Sequence, residues 1–242
     1  MLIDTYFQAL QAHIARLAAN TAPLEQAAEL CADTLARGGV LHLFDSGHMV
    51  SQELVNRAGG LVALSALTFN LNVVNPVKSR APVTPAATLN FGYIEHVFET
   101  GQLRQGDLLF VGSVSGKTAN VVELARQARA HGLTVIALTA LAYSARLASE
   151  HPSGQHLYEA ADLALDNGAP YGDAMLIVDG LDYPVCPASG LGAAAVLWAV
   201  VAGTLERLLA RGLKPTVFPS VNRPDGKVLV SQVEAEALAK GF

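Results

Sequence analysis

Residues 113–118, Ser-Val-Ser-Gly-Lys-Thr, put three hydroxyls, those of Ser113, Ser115 and Thr118, into a turn that opens a helix-like run. The first N–H groups of a helix lack intrahelical acceptors and its dipole is positive at that end, so such an entrance favours an anion. Hydroxyls and amides supply short donors without a basic patch, and Gly116 lets the backbone come close, which suits a phosphate on a small substrate. A plain N-cap role for Ser115 or Thr118 is the other reading of the same spacing. A Walker nucleotide loop is excluded, because the pattern G-x-x-x-x-G-K-S/T is absent.

A second chemistry-bearing stretch is Asp45-Ser46-Gly47-His48, followed five residues on by Glu53. Moving a proton between adjacent carbons requires a base, and serving the carbonyl oxygen requires an acid, a division commonly made between Glu and His. Glu53 and His48 are the candidate pair; the alternative for Glu53 is an ion pair with Arg57, four residues on. Glu95 and His96 read as solvated, Lys78 and Arg80 as an exposed basic loop, and Glu123 as structural. His42, inside an apolar strand, reads as a hydrogen-bonded core histidine. Ser189-Gly190 opens a later helix and offers either a second anion site or an N-cap. Cys31 and Cys186 stand far apart with no spaced His pair beside them, so neither a disulfide framework nor a structural zinc site is indicated. No metal ligand set and no cofactor is assigned.

These groups must be held by elements, and the pattern supplies them. Leu2, Ile3, Tyr6, Phe7, Leu10, Ile14 and Leu17 recur at helical spacing, predicting a helix over 2–19, and Pro23 restarts a second one that stops at Gly38-Gly39. Short apolar runs without polar alternation, the signature of strands buried on both faces, occur at 40–44, 61–64, 108–111, 134–138 and, more weakly, 163–165 and 175–178. Helical patterns at 49–58 and 118–131 lie between them, so crossovers join parallel strands under helices on both faces. Ligands in such sheets bind beyond the carboxyl ends of the strands, where both chemistry-bearing loops fall. The 65–87 stretch reads as a long loop, and the tail from Lys214 as a wrapping segment ending in a helix.

At 242 residues, 51% hydrophobic and 15% charged, the chain can bury a large core. A net charge of -5 without like-charged runs argues against a nucleic-acid or anionic-membrane binder. The N-terminus does not read as a signal peptide. The uncharged 184–205 stretch is broken by Pro184, Pro187 and Gly190 to less than the roughly 20 residues of a membrane span, so it reads as a buried helix in a cytoplasmic protein.

The stretch SVSGKTANVVELARQARAHGLTVIALT resembles the phosphosugar-binding signature of the SIS (sugar isomerase) family, with a strand before the turn and another after the helix. FDSGHMVSQELVNRAGGL is similar to that family's first ligand loop, and YPVCPASG with VFPSVN resembles parts of a subgroup related to phosphoheptose isomerases. The resemblance implies a single domain over 1–242, with N-terminal helices and a C-terminal tail, built as a three-layer α/β/α fold on a doubly wound, mostly parallel sheet of about five strands. It implies a homodimer or homotetramer that binds a phosphosugar, with Ser113, Ser115, Gly116 and Thr118 around the phosphate and Ser46 joining from the first loop. Aldose–ketose isomerisation is the leading expectation; a noncatalytic phosphosugar sensor and an amino-sugar phosphate lyase remain open. Asp45 stands where the family usually has glycine, and its charge would repel a phosphate placed over it, so sugar hydroxyls or a helix cap are its expected partners.

Overall fold

The computed structural model describes residues 1–47, 50–70, 78–79 and 91–240. Five strands, β1 (Leu41–Asp45), β2 (Leu64–Ala66), β3 (Leu108–Gly112), β4 (Thr134–Thr139) and β5 (Leu163–Asp166), form one sheet in the order β2-β1-β3-β4-β5. All neighbours are parallel, with Leu41 level with Leu64 on one side and Leu108 on the other. From β1 the chain moves first outward to β2 and then back across to β3, so the winding reverses between β1 and β3. That reversal opens a crevice at their carboxyl ends.

Strand side chains alternate between faces, and the alternation divides the core into two. Leu41, Leu43, Phe110, Ile136 and Leu138 pack under α2 (Ala22–Ala36) and α8 (Ser189–Ala210). Leu109, Val111, Val135 and Ala137 pack under α4 (Gly92–Thr100), α5 (Ala119–Ala130) and α7 (Leu157–Ala160). The result is the expected three-layer α/β/α arrangement. Helix α8 is long and apolar enough to cross a membrane, yet its own Ala193, Val196, Leu197 and Val200 are buried in the core. Arg207 and Arg211 fasten its far end to Glu29 and Asp33 of α2.

Local geometry moves several elements from where the pattern puts them. The helix expected over 49–58 is reduced to α3 (Ser51–Leu54), because Asn56 takes a left-handed φ of 55° that a helix cannot continue. The strand expected at 61–64 begins only at Leu64, since the segment before it pairs with the C-terminal tail: Leu61 bridges Val217, and the Val62 N–H donates to the Thr216 carbonyl at 3.1 Å. The weak run near 175–178 is β6 (Ala174–Leu176), which leaves the main sheet to pair antiparallel with β7 (Val185–Pro187). Helix α1 (Leu2–Ala18) is as expected but buries only His13; α6 (Leu141–Ser144) and α9 (Gly226–Lys240) complete the described elements.

Candidate functional site

The parallel ladder sets the site. Gly112 ends β3 level with Asp45 at the end of β1, and the Ser46 N–H donates to the Gly112 carbonyl at 3.0 Å. The first loop and the hydroxyl turn are thereby held side by side at the crevice.

The turn itself is fixed by its carbonyls. Val114 accepts from the Ala140 N–H and the Thr139 hydroxyl, each at 3.0 Å; Gly116 accepts from Leu157, and Lys117 from Glu150. Its donors are left over: among the described residues, the N–H groups of Ser115 to Asn120 and the hydroxyls of Ser113, Ser115 and Thr118 have no protein partner. Thr118 occupies the N-cap position of α5 in extended backbone but makes no side-chain cap bond. The N-cap reading therefore accounts for its place in the chain and not for its hydroxyl. Ser113 is 5% exposed, whereas Thr118 is open to solvent. Lys117, the turn's cation, reaches Glu150 instead, and that hydrogen bond raises its pKa above the ordinary value.

In front of the turn lies a cavity of about 490 Å³. Ser46 and Thr118 line it together with Phe44, Phe69, Asn70, Tyr93, Asn120 and Val121. Ser113 and Ser115 are outside this lining, deeper in the turn. Among the described lining residues there is no carboxylate, imidazole or ammonium. The aromatic residues and the two asparagines were not singled out from sequence: they come from four different elements, and the one local signal was Asn120, two residues past Thr118 in the first turn of α5.

The other expected groups are accounted for as follows. The Asp45 carboxylate accepts from the Val50 N–H at 2.8 Å, just ahead of α3, and from the Gly47 N–H at 3.1 Å. Glu53, its side chain 42% exposed, takes the Arg57 guanidinium at 3.2 Å and does not line the cavity. His48 and Arg80 lie outside the described residues, and Lys78 is exposed. His42 is the hydrogen-bonded core histidine expected, 3.1 Å from Asp107, whose carboxylate also accepts from the N–H groups of Val40 and Arg104. Glu123 binds His151 and Gln127, and His96 pairs with Glu99. The second anion site suggested at Ser189 is filled from within, since the Asp173 carboxylate accepts from both its N–H and its hydroxyl at 2.8 Å. No group of three described His, Cys, Asp or Glu side chains is placed to hold a metal ion.

Comparison with known proteins agrees with this architecture. Residues 5–140 match the SIS domain. A UPF0309 protein of Streptomyces griseus is 39% identical over 199 residues, which span 81% of this chain and 78% of that protein. A UPF0309 protein of Geobacillus kaustophilus is 31% identical over 225 residues, 91% of this chain and 88% of the relative. Among solved structures, a Bacteroides fragilis protein assigned as a phosphosugar isomerase involved in capsule formation aligns with a TM-score of 0.52 at 18% identity, covering 86% of this chain and 90% of the other, a likeness of fold. The chain belongs to the SIS domain family, and within it to the UPF0309 proteins.

Proposed function

We propose that the protein binds a phosphosugar, with the phosphate in the Ser113–Thr118 turn and the sugar over the cavity reached by Ser46. The observation that carries this reading is the surplus of donors: among the described residues, six consecutive backbone N–H groups and three hydroxyls of the turn that opens a twelve-residue helix have no protein acceptor. With Lys117 engaged by Glu150, recognition rests on the neutral donors of a helix entrance, which suits a phosphate. Ser113→Ala and Ser115→Ala should each weaken binding of a phosphorylated sugar by about tenfold or more, charged hydrogen bonds being worth about 1.5–3 kcal/mol. Titration calorimetry with the phosphorylated sugar and its unphosphorylated analogue checks this; equal weakening of both would count against the turn.

For chemistry, the proposal is aldose–ketose isomerisation of the phosphoheptose isomerase type, with Glu53 as base and His48 as acid. A panel of aldose and ketose phosphates, heptose and amino-sugar phosphates included, tests it, and Glu53→Gln should abolish turnover while ligand affinity persists. Noncatalytic phosphosugar sensing is the second reading. It is favoured by one observation: Glu53 is committed to Arg57, and the described cavity wall carries no general base. Binding without turnover across the panel would select it. A cytoplasmic homodimer or homotetramer formed from one domain over 1–242 is proposed as the working unit, supported by the apolar residues that α1 leaves exposed, Leu2, Ile3 and Phe7.

A further inference from the structure

The cavity lining mixes two unlike chemistries. Ser46, Asn70, Thr118 and Asn120 offer hydroxyl and amide groups, while Phe44, Phe69 and Tyr93 offer rings. The Phe44 and Phe69 rings stack with centroids 5.0 Å apart and planes 20° from parallel, and Tyr93 closes the wall at 6.1 Å from Phe69, tilted by 49°. Burial raises the Tyr93 phenol above its ordinary pKa, so its hydroxyl stays a neutral donor and acceptor.

A lining that joins a cluster of three rings to hydroxyl and amide groups calls for a ligand with both apolar and polar surface. An open-chain polyol phosphate carries hydroxyls all round and would lay several of them on the rings without hydrogen-bond partners, at a desolvation cost. A closed pyranose ring with equatorial hydroxyls turns its axial C–H groups to its two flat sides and projects its hydroxyls outward, so each flat side is apolar and the rim is polar. Thr118 belongs to both the turn and the cavity wall, which puts the phosphate site and the ring site next to each other.

We infer that the cavity selects the closed-ring form of its sugar phosphate, the C–H face of the ring lying on Phe69 and Tyr93 while Asn70 and Asn120 take ring hydroxyls. This rests on the phosphosugar reading above and adds to it the form of the substrate. An isomerase built this way must open the ring after binding it, and a sensor need not.

Two probes that cannot interconvert separate the forms: 1,5-anhydro-D-glucitol 6-phosphate, permanently closed, and D-glucitol 6-phosphate, permanently open. Calorimetry on the full chain should find the closed probe bound about tenfold more tightly, the gain expected from covering two or three C–H groups. Phe69→Ala should remove the preference, weakening the closed probe relative to the open one; Phe69→Leu, which keeps apolar bulk but loses the flat face, should reduce it as well and stands in should the alanine variant fail to fold. Combined Ser113→Ala and Ser115→Ala should weaken both probes alike. Equal affinity for the two probes, both sensitive to the serine changes, would overturn ring selection and leave the phosphate site standing. A preference that survives both Phe69 variants overturns the role of the aromatic wall. Failure of both probes to bind, or binding indifferent to the serines, overturns the phosphosugar reading and this inference with it; binding of the open probe alone overturns ring selection.

Discussion

Gly116 shows how much of the site depends on one backbone atom. Its φ of 57° is left-handed, and a Cβ there would lie 3.0 Å from the Thr139 hydroxyl, 3.1 Å from that of Ser144 and 3.2 Å from Leu157 Cβ. The turn is therefore packed closely against the sheet end, and a Cβ would oblige these neighbours to shift. Gly116→Ala carries the left-handed penalty of about 1–2 kcal/mol and forces its neighbours apart. We expect the melting temperature to fall by about 3–6 °C and the affinity for a sugar phosphate to fall by more than either single serine change, since the amide cradle moves as a unit. Scanning calorimetry and ligand titration check the two effects; a variant that melts and binds like the parent would show that the turn does not need this conformation. Asp45 is the opposite case, a residue whose charge looked out of place and whose carboxylate proves to be occupied by the N–H groups of Gly47 and Val50.

At the scale of elements, α8 reaches the sheet because a glycine lets it. A Cβ at Gly192 would fall 2.0 Å from the Asn167 carbonyl oxygen and 2.6 Å from His13 Nε2, a collision with backbone that no rotamer relieves. Gly192→Ala should cost at least about 2 kcal/mol, read as a lower urea midpoint with an unchanged slope; a midpoint within error of the parent would mean that α8 shifts freely along its groove. The parallel sheet and its covering helices were legible in the sequence because strands buried on both faces are continuous apolar runs, as in Leu108–Val111. What was not legible depends on partners far away in the chain: Leu61 and Val62 look like a strand and pair instead with Val217 and Thr216, while β6 finds β7. The same holds for the site. Its hydroxyl turn is contiguous and could be read directly, whereas the wall of Phe44, Phe69 and Tyr93 exists only once β1, the chain beyond β2, and α4 are brought together.

Across the whole molecule, the N-terminal helix meets the far edge of the sheet at a titratable group. His13 is the one buried residue of α1. Its Nδ1 accepts from Arg16 at 3.0 Å, and Arg16 also donates to the Gly168 carbonyl at 2.6 Å, beyond β5. Its Nε2 is buried without a partner. Burial, and then the Arg16 charge, hold the imidazole below its ordinary pKa of 6.5; Asp166 and Asp173 pull the other way but lose. The folded chain thus keeps His13 neutral at a pH where the unfolded chain already takes up the proton. By linkage, this contribution to stability is full above the unfolded value, shrinks as pH falls through 6.5, and is lost once the pH passes below the folded pKa. His13→Gln retains an acceptor for Arg16 and cannot titrate. Between pH 7 and pH 5 the parent should therefore lose more unfolding free energy in urea than the variant does, with α1 the first element to gain amide exchange on acidification. Identical pH dependence in the two proteins would remove His13 from the account, and would leave the Arg16 bond to Gly168 and the packing of Leu17 on the core to hold the helix.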